Sequence, residues 1–249
     1  MLTISFLCLG GFLAAFVDSI AGGGGLISMP ILLMAGLPAH LALGTNKFAS
    51  TFGCFSSAYN YSKSGKTNVK LLIKLIPFTI FGCIVGVKCV LSISENILNI
   101  LVFIMVLLVA IYTYTKKDLG KEDKFEALNE KNIKQGILMA FCLGFYDGFF
   151  GPGTGTFLTF AFIKIYGFDF LHASANTKIL NFTSNFTALI LFIFSGQILY
   201  KIAIFFAISM IIGGYIGAKV AIKKGTSLIK PIFLSMAIGV AIKLLYQAF

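Results

Sequence analysis

The chain contains no tryptophan and no arginine; all twenty of its basic residues are lysines. Charge of either sign is scarce, at 12% of residues, and only nine residues are acidic. Heavy use of Lys, Ile, Phe and Asn alongside absent Arg fits a coding bias toward A and T, so the missing arginine carries little mechanistic weight. The five cysteines, Cys8, Cys54, Cys83, Cys89 and Cys142, form no C-x-x-C pair. They support neither a zinc site nor a disulfide framework, and their places in or beside apolar runs suit small buried hydrophobes. No basic residue precedes Lys47. The positive n-region of a cleaved signal peptide is therefore lacking, and the first apolar run is expected to stay in the mature protein. No ATP-binding motif is found, so a primary pump would need a separate subunit.

What fills the chain instead is hydrophobic sequence. Fifty-eight per cent of the 249 residues are hydrophobic and the mean hydropathy is +0.94, which describes a polytopic membrane protein rather than a soluble domain. The net charge of +11 does not point to nucleic acid, because the lysines sit in the gaps between apolar runs rather than on one basic face. The partner of this surface is the lipid bilayer.

A polar cluster occurs twice. Asp18 precedes Gly22-Gly23-Gly24-Gly25, a short apolar segment and Thr45-Asn46-Lys47. Asp147 precedes Gly151-Pro152-Gly153-Thr154-Gly155-Thr156, another short apolar segment and Asn176-Thr177-Lys178. The aspartates lie 129 positions apart and the lysines 131; Ser64-Gly65 and Ser195-Gly196 repeat the 131 offset.

The apolar pattern predicts ten helical elements. In the first half they cover residues ~3–17, ~26–36, ~40–62, ~69–91 and ~96–115. In the second they cover ~135–150, ~154–167, ~170–194, ~198–221 and ~227–247. Residues 116–134, with six lysines and five acids, form a polar linker between an N-terminal repeat (1–115) and a C-terminal repeat (135–249). A spanning helix needs about 20 residues. The first two elements of each half are shorter, so each pair is expected to form a broken or re-entrant hairpin, followed by three transmembrane helices. Backbone exposed at that depth is tolerated only inside protein or beside water, which puts both glycine-rich tips at a cavity.

With the linker cytoplasmic, fifteen lysines fall inside and three (Lys88, Lys201 and Lys243) outside, a clear positive-inside bias. Both termini are then outside. Five elements per half is an odd number, so the halves enter from opposite faces: the fold class is an all-α polytopic membrane protein of two inverted-topology repeats, the architecture of secondary transporters.

The D-x-x-x-G-x-G pattern opening each half, Ala42–Lys47 with its counterpart Ser174–Lys178, and the Ser-Gly pairs closing each third segment together resemble the TauE/SafE family of sulfite and organosulfonate permeases. The resemblance covers both halves and the linker. It implies a multi-pass plasma-membrane transporter of small sulfur-containing anions, with no cofactor. The second tip departs from the first, so the two sites need not be equivalent.

An anion in the membrane needs positive potential and hydrogen-bond donors. Short helices starting after Gly25 and at Thr154 present free N–H groups and positive dipole ends. Glycines at 22–25, 151 and 153 let a ligand approach the backbone. Ser28, Thr154 and Thr156 offer hydroxyls; Thr45, Asn46, Asn176 and Thr177 flank the lysines and add polar groups. Lys47 and Lys178 supply charge, either to a substrate or to Asp18 and Asp147, which are read as structural or coupling groups that can carry a proton. His40 and His172 read as loop or cap residues. Two other readings stand beside the carrier: a passive anion channel using the same groups, and an intramembrane aspartyl protease built on Asp18 and Asp147, which lacks the G-x-G-D element. A chain of this size can act alone or as a homodimer.

Overall fold

A computed structural model describes residues 2–115 and 122–224. Among these residues the chain is entirely helical: α1 (Leu2–Ala21), α2 (Gly25–Met34), α3 (Ala39–Lys63), α4 (Val69–Leu91), α5 (Glu95–Thr115), α6 (Glu130–Phe149), α7 (Thr154–Tyr166), α8 (Phe170–Phe194) and α9 (Tyr200–Lys224). Four helices are long and apolar enough to cross a membrane: α1 over Ile4–Ala21, α4, α8 and α9. The expected tenth helix (~227–247), with Lys230 and Lys243, lies outside the described residues, as do residues 116–121 of the polar linker.

The first helix of each half is not short. α1 and α6 each run for 20 residues, about 30 Å and enough to cross the apolar core. α1 continues past its expected end near residue 17 and through Asp18, whose charge Lys178 matches; α6 begins at Glu130, inside the expected linker, where Asn129 caps it by accepting the Asn132 N–H at 2.9 Å. Only the second helices, 10 and 13 residues long, are too short to span. Each half therefore opens with one full-length helix and one short one, not with two half-helices.

α3 and α8 are the polar helices of the interior. Thr45, Asn46, Lys47, Thr51, Ser56 and Ser57 on α3 are buried, and so are Asn176, Lys178, Asn181, Ser184 and Asn185 on α8. The outer helices turn apolar side chains outward instead. Ile73 and Phe81 on α4, and Phe205 and Ile208 on α9, are about half exposed or more, the surface a bilayer would solvate.

Close helix crossings hold the bundle together. Gly82-x-x-x-Gly86 on α4 lies against Gly144-x-x-x-Gly148 on α6. A methyl group added at Gly82 would sit 2.2 Å from the Phe141 carbonyl oxygen, and one at Gly148 would sit 2.3 Å from that of Cys83. On the other side, methyl groups added at Gly213 and Gly217 of α9 would sit 2.2 and 2.3 Å from the carbonyl oxygens of Phe12 and Phe16 on α1. Small residues let backbones pack this closely, the usual way apolar helices associate where water supplies no driving force. Gly82 and Gly86 lie 131 positions before Gly213 and Gly217, so the duplication extends into the packing.

The linker residues that are described cross the α7–α8 turn. The Lys124 N–H donates to the Gly167 carbonyl at 2.8 Å, the Phe125 ring lies 4.8 Å from that of Phe168, and Asp123 reaches His172 at 3.4 Å. His172 also sits beside the α8 cap Asp169, whose Oδ1 accepts the His172 N–H at 2.7 Å. His40 bonds Glu95 and the Val90 carbonyl. Both histidines thus work at helix ends.

Candidate functional site

α1 and α6 deliver their aspartates to the middle of the molecule from opposite halves of the sequence, and α8 and α3 deliver the lysines. The pairing is crossed. Lys47 Nζ of the first half lies 2.9 Å from Asp147 Oδ1 of the second, both side chains 2% exposed. Lys178 Nζ of the second half lies 2.7 Å from Asp18 Oδ2 of the first, and it also donates to the Asp18 carbonyl oxygen. An unpaired charge at this depth would cost several kcal/mol, on the order of 3 or more. Crossing the pairs satisfies all four charges and ties the two halves together.

The glycine tips fill the space between. Gly22 and Gly23 have φ of 75° and 86°, and Gly151 and Gly153 have φ of 97° and 87°, a region that side-chain-bearing residues rarely enter. The tips also press on one another: a methyl group at Gly22 would lie 2.5 Å from the Gly155 carbonyl carbon and the Thr156 nitrogen. The Gly24 N–H donates to Asp18 Oδ1 at 3.0 Å. The first residues of α2 and α7, Gly25 and Thr154, reach the same small cavity of about 30 Å³ as Asp18, Lys47 and Asp147. Two positive helix ends, one ammonium and two carboxylates therefore share a space suited to an occupant of few heavy atoms.

Not every predicted site residue faces this cavity. Asp18, Gly23, Gly24, Gly25, Asn46, Lys47, Asp147, Gly151, Gly153 and Thr154 line it. Gly22 packs against the opposite tip instead. Lys178 stands behind Asp18 rather than on the wall. Ser28 and Thr156 are buried with hydroxyls that have no partner and do not line the cavity; Thr177 accepts from the Thr159 hydroxyl at 3.1 Å. Thr45 and Asn176 hold loops. Thr45 Oγ1 accepts the Leu199 N–H at 3.0 Å, and Asn176 Oδ1 accepts the Asn68 N–H at 2.8 Å while its amide donates to the His172 carbonyl at 2.8 Å. Each clamps the residue just before a helix of the other half. The two donors, like the two acceptors, are 131 positions apart.

Asn176→Ala is accordingly expected to lower the thermal stability of the purified protein by about 1–3 kcal/mol, the cost of leaving a buried donor unpaired. It should not change the concentration at which transport half-saturates. A weakened half-saturation at unchanged stability would return Asn176 to the cavity wall.

Four cavity residues with polar side chains escape the motif reading: Ser50 and Cys54 on α3, and Asn181 and Asn185 on α8. They stand three and seven positions after Lys47 and Lys178 respectively, the spacing that puts residues on one helix face. That spacing was the signal available. Asn185 donates to Asn181 Oδ1 at 2.9 Å, and the Cys54 thiol points at Asp18 Oδ2 from 3.8 Å.

Comparison with known proteins completes the description. Residues 7–244 match the family model for the sulfite exporter TauE/SafE. A Haemophilus influenzae protein named "Probable membrane transporter protein" is 36% identical over 95% of this chain and 92% of its own length. "Probable membrane transporter protein ORF9" from Sinorhizobium is 34% identical over 97% of the chain and 92% of its own. YfcA of Escherichia coli K12, also named a probable membrane transporter protein, is 32% identical over 95% and 87%. No solved structure matches the chain. A family match across nearly the whole length, on a helical bundle with apolar outer faces, makes the chain a multi-pass membrane protein, and it belongs to the sulfite exporter TauE/SafE family of membrane transporters.

Proposed function

We propose that the chain is a secondary transporter of a small anion, sulfite, a sulfonate or a related sulfur oxyanion, working by alternating access about the cavity between its halves. The crossed ion pairs carry this reading. They put Lys47, Asp147 and Asp18 beside two glycine tips and two helix N-termini, where an anion can exchange one carboxylate partner for itself without leaving a bare ammonium behind.

The two repeats, 1–115 and 135–249, are read as inverted, with residues 116–134 cytoplasmic and the termini outside. One pair of equivalent bonds, Thr45 with Leu199 and Asn176 with Asn68, together with the equivalent glycine crossings, supports that reading. Bonds that cross from one half to the other at both ends can be exchanged in turn as access alternates. The membrane is read as the plasma membrane. The substrate contacts are Lys47, Asn46, Thr154 and the backbone of Gly23–Gly25, Gly151 and Gly153, with Ser50, Asn181 and Asn185 added; Gly22, Ser28, Thr45, Thr156, Asn176, Thr177 and Lys178 act behind them. Each aspartate is bonded to a lysine, whereas an aspartyl protease needs two carboxyls sharing a proton, so the pairing gives the protease reading no support.

Purified protein in liposomes, offered sulfite, thiosulfate, sulfonates and carboxylates, tests the assignment. Saturable uptake of one or more sulfur oxyanions, driven uphill by an ion gradient, is the expected result. Unsaturable downhill flux would make the protein a channel. Movement only of cations or neutral solutes would overturn the anion reading.

A further inference from the structure

We propose that Asp147 is the proton-binding group of this transporter, and that one monovalent anion moves together with one proton carried on Asp147 Oδ2. The proposal rests on the transporter reading above and specifies its coupling.

The two aspartates are equivalent in sequence but not in their bonding. Both oxygens of Asp18 are engaged: Oδ1 accepts from the Gly24 N–H at 3.0 Å, and Oδ2 accepts from Lys178 at 2.7 Å with the Cys54 thiol at 3.8 Å. Asp147 uses only Oδ1, toward Lys47 at 2.9 Å. Its Oδ2 is buried and has no hydrogen-bond partner, in a side chain that is 2% exposed and lines the cavity. A buried carboxylate oxygen with no donor is unfavourable. Protonation turns that oxygen into a hydroxyl that can donate to an oxygen of the incoming anion, while Lys47, relieved of a full negative charge, turns to the same anion.

The charge balance gives the stoichiometry. The ionised site holds two lysines and two aspartates, a net charge of zero. A monoanion alone would leave the closed cavity at −1, and one proton on Asp147 restores zero. The proton adds to Oδ2 on entry and leaves as H⁺ when the anion departs; no other bond forms or breaks.

The remaining titratable groups around Asp147 are occupied. Lys47 and Cys54 on α3 and Asp18 on α1 share the cavity wall with it, and α7 brings only the Thr154 hydroxyl and backbone there; Cys83 on α4 and Tyr146 on α6 lie within reach of its charge off the wall, and Lys178 on α8 is held behind Asp18. The lysines are held by the carboxylates. The Cys83 thiol donates to the Ser184 carbonyl at 3.1 Å and the Tyr146 hydroxyl to that of Pro152 at 2.7 Å. Of the two carboxylates that line the cavity, Asp147 alone keeps an oxygen without a hydrogen-bond partner.

The test uses the full chain with methanesulfonate, an anion at every working pH, so that any proton taken up belongs to the protein. Sulfite, held at a pH where it is the monoanion, is the second probe. In liposomes the wild type is expected to accumulate the probe about tenfold per unit of pH gradient, with no response to a clamped membrane potential. In detergent, binding should tighten as pH falls and take up one proton per anion. In Asp147→Asn, proton uptake is lost and binding becomes indifferent to pH; in Asp18→Glu, which keeps the negative charge opposite Lys178, proton uptake persists. Accumulation that follows potential and ignores the pH gradient would overturn the proposal, and so would proton uptake that survives in Asp147→Asn. If Asp147→Asn does not fold, loss of proton uptake in an Asp18→Glu protein that still binds the anion, where the charge of the site is unchanged, equally overturns it. Failure of the wild type to bind or move either probe is a different outcome: it rejects the anion reading itself.

Discussion

Lys47→Gln is expected to abolish anion flux per folded molecule. Among the described residues Lys47 is the one lysine on the cavity wall, and truncating one partner of a buried, hydrogen-bonded charge pair typically costs about 2–5 kcal/mol, on the order of thirtyfold to several thousandfold in binding. The change also strands Asp147, a buried carboxylate whose other oxygen is already unpartnered, so part of the loss could be folding rather than transport. Removing both charges separates the two effects. Lys47→Gln combined with Asp147→Asn should recover the thermal stability lost in the single variant, because no unpaired charge remains, yet should still fail to transport.

Lys178→Gln provides the contrast. Lys178 lies behind Asp18 and bonds its carboxylate and carbonyl, so that variant should lose chiefly stability and retain more flux per folded molecule than Lys47→Gln. Wild-type flux in Lys47→Gln, measured in liposomes at matched protein content, would remove Lys47 from the site.

The second large effect is expected at the glycine tip. Gly22 and Gly36 both have positive φ, 75° and 85°, so alanine at either position costs about 1–2 kcal/mol from backbone conformation alone. Gly36 has nothing within 4 Å of the place its methyl group would occupy. Gly22 would drive a methyl to 2.5 Å from backbone atoms of Gly155 and Thr156, which cannot swing aside as a side-chain end can. Overpacking adds roughly 1–3 kcal/mol and would push the two tips apart, shifting Thr154 and Gly155 where they meet the cavity. Gly36→Ala should therefore lower the melting temperature slightly and transport normally, whereas Gly22→Ala should lose transport and melt well below the wild type. Equal effects in the two variants would mean that the contact between the tips is not what sets the site.

Much of the bundle is visible in the residues because the apolar runs are long and their ends well marked. Val69–Leu91 and Phe170–Phe194 have the predicted limits; Asn68 and Asp169 cap them by accepting the N–H groups of Leu71 and His172. The first helix of each half was the element misjudged. The first was expected to stop near residue 17, short of Asp18, and Lys178, 160 positions away in sequence, matches that charge as the helix passes through it; the second, expected from about residue 135, starts earlier because Asn129 caps it inside the polar linker. The glycine tips, the aspartates, Asn46 and Lys47 were readable as a polar cluster because they are contiguous and repeated. Ser50, Cys54, Asn181 and Asn185 were not, since each is an ordinary polar residue until the helix face it shares with a lysine is known to point at the cavity. Thr45 and Asn176 show the reverse: adjacent to the site in sequence, they are turned by the helix away from it and toward a loop.

The sequence by itself determined that this is a membrane protein, built from a duplicated unit with an aspartate, a glycine tip and a lysine in each copy. Composition, periodicity and a constant offset are local properties, and a chain this apolar has few alternatives in how its backbone can be satisfied. Tertiary structure alone decided which charge meets which, that Lys47 rather than Lys178 stands on the cavity wall, and that Asp147 keeps a free oxygen where Asp18 has none. Those are distances between side chains on helices far apart in the chain, and they depend on which helix the Gly82-x-x-x-Gly86 and Gly213-x-x-x-Gly217 faces pack against, a partner that the motif itself does not name.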